Sequence, residues 1–86
     1  MKKVQMMILE DCPYCRQAFT IMEHLKQENP EFSQVEITIT DEAKDPEFAN
    51  SLDYYYVPTF FVDGQKIHEG IPTESNIKKV YEAALA

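Results

Sequence analysis

Apolar residues open the chain as a short run from Val4 to Leu9, broken only by Gln5 and stopped by Glu10-Asp11. A run of that kind predicts a central strand buried on both faces. From Pro13 the period changes: Cys15, Ala18, Phe19, Met22 and Leu25 recur at steps of three and four, one face of a helix that ends before Pro30. His24 falls on the opposite, solvent side of that helix. Val35, Ile37 and Ile39 then alternate with Glu36, Thr38 and Thr40, which predicts a half-buried strand at a sheet edge.

Asp45-Pro46 fits an N-cap and first helical position, opening a short helix through Leu52 with Phe48, Ala49 and Leu52 facing inward. Thr59 to Val62 reads as a strand, and Asp63-Gly64 as a two-residue hairpin turn that returns Gln65 to His68 antiparallel. A final helix is predicted from Ile77, Val80, Tyr81, Ala84 and Leu85, with Thr73 or Ser75 as its cap. The order is βαβαββα. A strand-helix-strand start requires a right-handed crossover between parallel strands, and the hairpin adds antiparallel ones. The expected product is an α/β fold: a four-stranded mixed sheet with helices on both faces.

The chain has 86 residues and contains no linker-like stretch, so one domain over residues 1–86 is expected. A chain of this size buries about 60 to 65% of its unfolded surface, enough for one core but not for a large internal cavity. Substrates must therefore be met at the surface. Acidic residues outnumber basic ones, 15 to 8, giving a net charge of -7 that opposes binding to nucleic acid or anionic lipid. The apolar run behind Met1-Lys2-Lys3 is too short for a secretory signal, and no segment is long enough to span a bilayer. A cytoplasmic monomer is expected, in a compartment that keeps thiols reduced.

Against that background the Cys12-Pro13-Tyr14-Cys15 segment carries the chemistry. Two cysteines at i and i+3 of a helical turn place their Cα atoms about 5 to 5.5 Å apart, within reach of a disulfide. Cys12 precedes the first turn, where unpaired N–H groups and the positive helix end favour a thiolate. Pro13 lacks the N–H that would be left unpaired there and stiffens the loop. Cys15, one turn deeper on the apolar face, is expected to stay protonated until Cys12 forms a mixed disulfide, which Cys15 then attacks. Cys12 is thus the expected nucleophile and Cys15 the resolving thiol. No metal is expected, because tetrahedral zinc needs two further ligands and His24 and His68 are the only histidines. A second feature, Tyr56-Val57-Pro58-Thr59, places a proline at the start of a strand.

These two motifs together resemble the thioredoxin superfamily, at the size of the glutaredoxins and the small glutaredoxin-like thioredoxins, over nearly the whole chain. The tetrapeptide is similar to that of dithiol glutaredoxins, and Val57-Pro58-Thr59 is similar to the family's cis-proline loop. The resemblance implies a cis Pro58 and a minimal thioredoxin fold. It also implies a substrate platform formed by Pro13, Tyr14, Tyr56, Val57 and Pro58, with the Val57 backbone pairing with a bound chain. Three sites depart from the glutathione-using pattern. Leu9 stands where glutaredoxins usually have Lys, beside the acidic Glu10 and Asp11. Tyr56 stands where Thr is usual, and Glu69-Gly70-Ile71-Pro72 replaces Gly-Gly-Asp. Met6 occupies the position of the buried carboxylate found in many thioredoxins, leaving the proton acceptor for Cys15 unassigned.

The function expected from this pattern is a thiol-disulfide oxidoreductase, a dithiol reductase of protein disulfides. It needs no prosthetic group and is recharged by an external reductant, a flavoprotein reductase or glutathione. The alternatives are a glutathione-dependent glutaredoxin and, from another class, an iron-sulfur cluster carrier, which Pro13 and the second cysteine oppose. Tyr54, Tyr55 and Tyr56 also admit an interaction module without redox activity, but they fit better framing the site or packing on the sheet.

Overall fold

The opening apolar run forms β1, Val4–Ile8, at the interior of a four-stranded sheet in the computed structural model, which describes residues 1–86. β1 pairs in parallel with β2, Ile37–Asp41, and antiparallel with β3, Thr59–Val62; β4, Gln65–Glu69, completes the order β2-β1-β3-β4. The helices are α1, Pro13–Glu28, α2, Pro46–Asn50, and α3, Glu74–Leu85. The mixed sheet and its three helices form the minimal thioredoxin fold, with the alternating segment at one edge as its pattern requires.

Register assigns the two faces. Met6 sits between Ile39 and Phe60, and Val4 between Ile37 and Val62. Val4, Met6, Phe60 and Val62 join Ala18, Met22 and Leu25 of α1 and Ile77, Val80, Tyr81 and Ala84 of α3 in one buried cluster. Each such large side chain removed from water contributes about 1.5 to 3 kcal/mol. Met7 and Phe61 are buried on the opposite face, where the Tyr54 ring meets Phe61 edge-on at 6.2 Å. That face has thinner cover. α2 has only five residues, and Phe48 is 36% exposed rather than facing inward. A single helical turn and a half has no full inner face, so Leu52 and Tyr54 beyond it supply the cover instead.

Other details also differ from the sequence expectation. Residues Pro30–Gln34 form a 3₁₀ turn that carries Phe32 onto Tyr81, with ring centroids 4.7 Å apart and planes within 4°. Val35 closes that turn through a bond from its N–H to the Phe32 carbonyl, so β2 begins two residues later, at Ile37. Leu85, assigned to the apolar stripe of the last helix, is its final residue and is 37% exposed. The caps are explicit: Asp45 Oδ1 accepts from the Phe48 N–H at 3.2 Å and Thr73 Oγ1 from the Asn76 N–H at 3.1 Å, while Ser75 lies inside the first turn of α3. Asp63 and Gly64 have φ of 48° and 83°, the two positive values a type I′ hairpin needs. Asp63 also exchanges hydrogen bonds with the Lys3 backbone, tying the hairpin to the start of β1. No helix is long and apolar enough to cross a membrane.

Candidate active site

Strand β1 ends at Ile8, and the next four residues turn the chain into α1. Cys12 is the N-cap of that helix, with extended backbone (φ -94°, ψ 113°), and Pro13 takes the first helical position. In place of the oxygen of an ordinary cap, Cys12 Sγ accepts from the Cys15 N–H at 3.3 Å. The sulfur is held from the other side by the Val57 carbonyl oxygen, 3.8 Å away, to which the thiol donates. The Val57–Pro58 peptide is cis, and Pro58 is fully buried. A Cys12 thiolate keeps the bond from Cys15 N–H and releases the one to Val57, freeing that carbonyl for another donor.

The two thiols are free and occupy unlike surroundings. Cys12 is half-buried, whereas Cys15 is 2% exposed. Burial, then the adjoining Cys12 sulfur, pushes the Cys15 thiol up to about 12. Cys15 is therefore protonated near neutrality. Burial and the Glu42 carboxylate also push Tyr54 up to about 12, and the Tyr54 hydroxyl donates to Glu42 Oε1 at 3.0 Å.

Of the residues expected to meet substrate, Cys12, Cys15 and Val57 are brought into direct contact, and Pro58 underlies them. Pro13, Tyr14 and Tyr56 do not touch the sulfurs. They stand on the flanking turns with exposed side chains, Tyr14 at 43% and Tyr56 at 70%. Tyr55 is the most exposed aromatic at 86%, whereas Tyr54 packs on the sheet. Beside Cys12 runs a shallow groove of about 380 Å³ lined by Leu9, Glu10, Asp11, Asp41, Ala43 and Lys44. Glu10 faces Lys44 at 3.7 Å, and both side chains are largely in solvent, where such a pair contributes little.

Several contacts had no signal in the sequence. His68 Nε2 lies 3.2 Å from the Gly70 carbonyl oxygen and 3.1 Å from that of Ile71, so its Nε2–H serves as donor to the turn after β4. Glu69 reaches across to the Tyr55 and Tyr56 backbone. His24, on the solvent side of α1, is 3.6 Å from Glu28 and 3.7 Å from Glu74, an exposed cluster about 18 Å along the helix from Cys12.

A mixed sheet whose first strand delivers a Cys-X-X-Cys turn to a helix N-terminus, opposed by a cis peptide before β3, defines a thioredoxin-fold protein. Residues 2–82 match the family model for the thioredoxin domain, and the chain belongs to that family. Among solved structures it is similar to a mutant of the thioredoxin-like protein BC3987, at 27% identity over 91% of this chain and 97% of that one, with a TM-score of 0.63. It is similar to a protein disulfide oxidoreductase from Aeropyrum pernix, at 25% identity over 98% of this chain and 38% of that one, with a TM-score of 0.63. Oxidised thioredoxin from Plasmodium falciparum shares the fold, with a TM-score of 0.71 and 17% identity over 99% of this chain and 82% of that one. No curated protein matches the sequence.

Proposed function

We propose that this protein is a thiol-disulfide oxidoreductase that reduces disulfides of protein partners. The observation that carries the reading is the placement of Cys12 Sγ at a helix N-terminus, between the Cys15 N–H and the Val57 carbonyl, with Cys15 buried behind it. The Cys12 thiolate attacks one sulfur of a substrate disulfide; the substrate S–S bond breaks, and its second sulfur leaves as a thiolate that takes up a proton. Cys15 then loses its proton and attacks Cys12 Sγ, which breaks the mixed disulfide and releases the other substrate thiol. Two electrons have passed to the substrate, and Cys12 and Cys15 are joined. An external dithiol or flavoprotein reductase returns them to the reduced state, and no prosthetic group takes part.

Protein substrates suit the surroundings better than glutathione. Leu9, Glu10, Asp11 and Asp41 offer a tripeptide with two carboxylates no cation except Lys44, which Glu10 already faces. The Val57 backbone and the exposed Tyr14, Tyr55 and Tyr56 offer an extended chain both a pairing edge and apolar contact. The kinship of the Aeropyrum pernix protein disulfide oxidoreductase supports the same direction. The test compares insulin disulfide reduction, with dithiothreitol as electron source, against turnover of a mixed glutathione disulfide. Insulin reduction that vanishes in both Cys12→Ser and Cys15→Ser is expected. Faster turnover of the glutathione disulfide, retained in Cys15→Ser, would overturn the assignment in favour of a glutaredoxin.

A further inference from the structure

The segment that presents Val57 to Cys12 is unusual in what holds it. From Asp53 to Val57 no backbone–backbone hydrogen bond is made; the last one before it joins Leu52 to Ala49, and the next involves the Pro58 carbonyl. Side chains of β3 and β4 fix it instead. Glu69 Oε2 accepts from two successive N–H groups, Tyr55 and Tyr56, the latter at 2.9 Å. Its other oxygen, Oε1, accepts from Lys66 Nζ at 2.8 Å, and the same Nζ donates to the Asp53 carbonyl at 3.2 Å. Thr59 Oγ1 donates to the Tyr56 carbonyl. Glu69 and Thr59 are register partners, and a shift in the β3–β4 ladder between Phe60 and Phe61 lets β4 reach that far.

We propose that Glu69 is a positioning residue for substrate recognition: through its two oxygens it sets the Tyr55–Val57 backbone in the register that receives an extended polypeptide beside Cys12. This deepens, and rests on, the protein-disulfide reading above. A carboxylate is the group that fits best, because one oxygen accepts two N–H donors while the other accepts an ammonium. Lys66, followed by the two N–H groups, holds the Glu69 carboxyl down at about 2, so it is charged throughout the working range. Glu69 touches neither sulfur. Its removal should loosen substrate docking and leave the dithiol chemistry intact.

The test separates docking from chemistry by using two substrates on each variant. Insulin needs the loop, whereas 5,5′-dithiobis(2-nitrobenzoate) needs only an accessible Cys12. For Glu69→Ala the expected result is a KM for insulin raised about tenfold with kcat nearly unchanged, and the rate with the small disulfide within about twofold of wild type. Glu69→Gln keeps an acceptor for the two N–H groups but turns a donor toward Lys66, so it should recover most of the lost affinity. Circular dichroism checks the fold; if Glu69→Ala does not fold, Glu69→Gln and Lys66→Met carry the test, each with a KM rise of about two- to threefold. An unchanged insulin KM in variants of an active wild type would overturn the positioning role alone, as would equal losses on both substrates. Wild-type protein inactive toward insulin would instead overturn the protein-disulfide reading and the positioning role with it.

Discussion

Alkylation of the reduced protein should distinguish the two cysteines sharply. Cys15 is 2% exposed and its thiol is pushed from an ordinary 9.0 up to about 12 by burial first and the Cys12 sulfur second. At pH 7 a thiol titrating there is ionised in roughly one molecule in 10⁵, against roughly one in 10² for an unperturbed one, a thousandfold loss of the reactive species before access is considered. Iodoacetamide should therefore modify Cys12 at least ~100-fold faster than Cys15. Trypsin places both residues in one peptide, Val4 to Arg16, and fragmentation of that peptide locates the label. In Cys12→Ser the sulfur contribution disappears but burial, the larger cause, remains, so Cys15 should stay slow until the pH climbs well above 9. Labelling of Cys15 at a rate within about threefold of Cys12 at pH 7 would refute the buried, protonated resolving thiol.

The remaining expectations concern stability. Phe32→Ala removes a ring stacked on Tyr81 and should cost about 3 to 5 kcal/mol in urea unfolding; a loss below about 1 kcal/mol would show that the 3₁₀ turn does not help fasten α3. Gly64→Ala, at φ 83° in the hairpin turn, should cost about 1 to 2 kcal/mol, and an unchanged denaturation midpoint would exclude the type I′ geometry. Stability should be level near neutrality and fall at both extremes. Glu69 titrates below its ordinary 4.5, at about 2, so its contribution is present above 4.5 and lost as pH falls toward 2. Cys15, Tyr54 and Tyr81 titrate above their ordinary values, at about 12, so the unfolded chain releases protons first and stability declines as pH rises beyond about 9 to 10. An acid limb that is as steep in Glu69→Gln as in wild type would remove Glu69 as its source.

Much of this architecture is legible in the order of residues because the physics involved is local. The three- and four-residue spacing of Cys15, Ala18, Met22 and Leu25 matches the buried face of α1, and Asp63-Gly64 specifies its turn through backbone conformation alone. The placement of Cys12 at a helix N-cap likewise follows from Pro13 and the strand before it. What was not legible depends on partners distant in sequence. Phe32 lies in a stretch with no period, and its burial is decided by Tyr81, 49 positions away. Phe48 matches an inner-face pattern, yet a five-residue helix leaves it at the surface. Glu69 reads as a surface acid in a departing motif; only the sheet register brings it to the Tyr55 and Tyr56 N–H groups. Glu42 and Tyr54 are paired in the same way, across the crossover between β2 and β3.

Cys12 and Cys15 are expected to act as one two-electron couple. Equilibrating the protein in buffers of graded thiol-disulfide potential, quenching with acid and counting free thiols by mass tests this directly. A single transition is expected between free dithiol and an intramolecular Cys12–Cys15 disulfide, with a tenfold change in their ratio for every ~30 mV, centred well below the roughly -180 mV of protein disulfide isomerase. Independent capping of each thiol by the buffer, with no intramolecular disulfide at any potential, would contradict it.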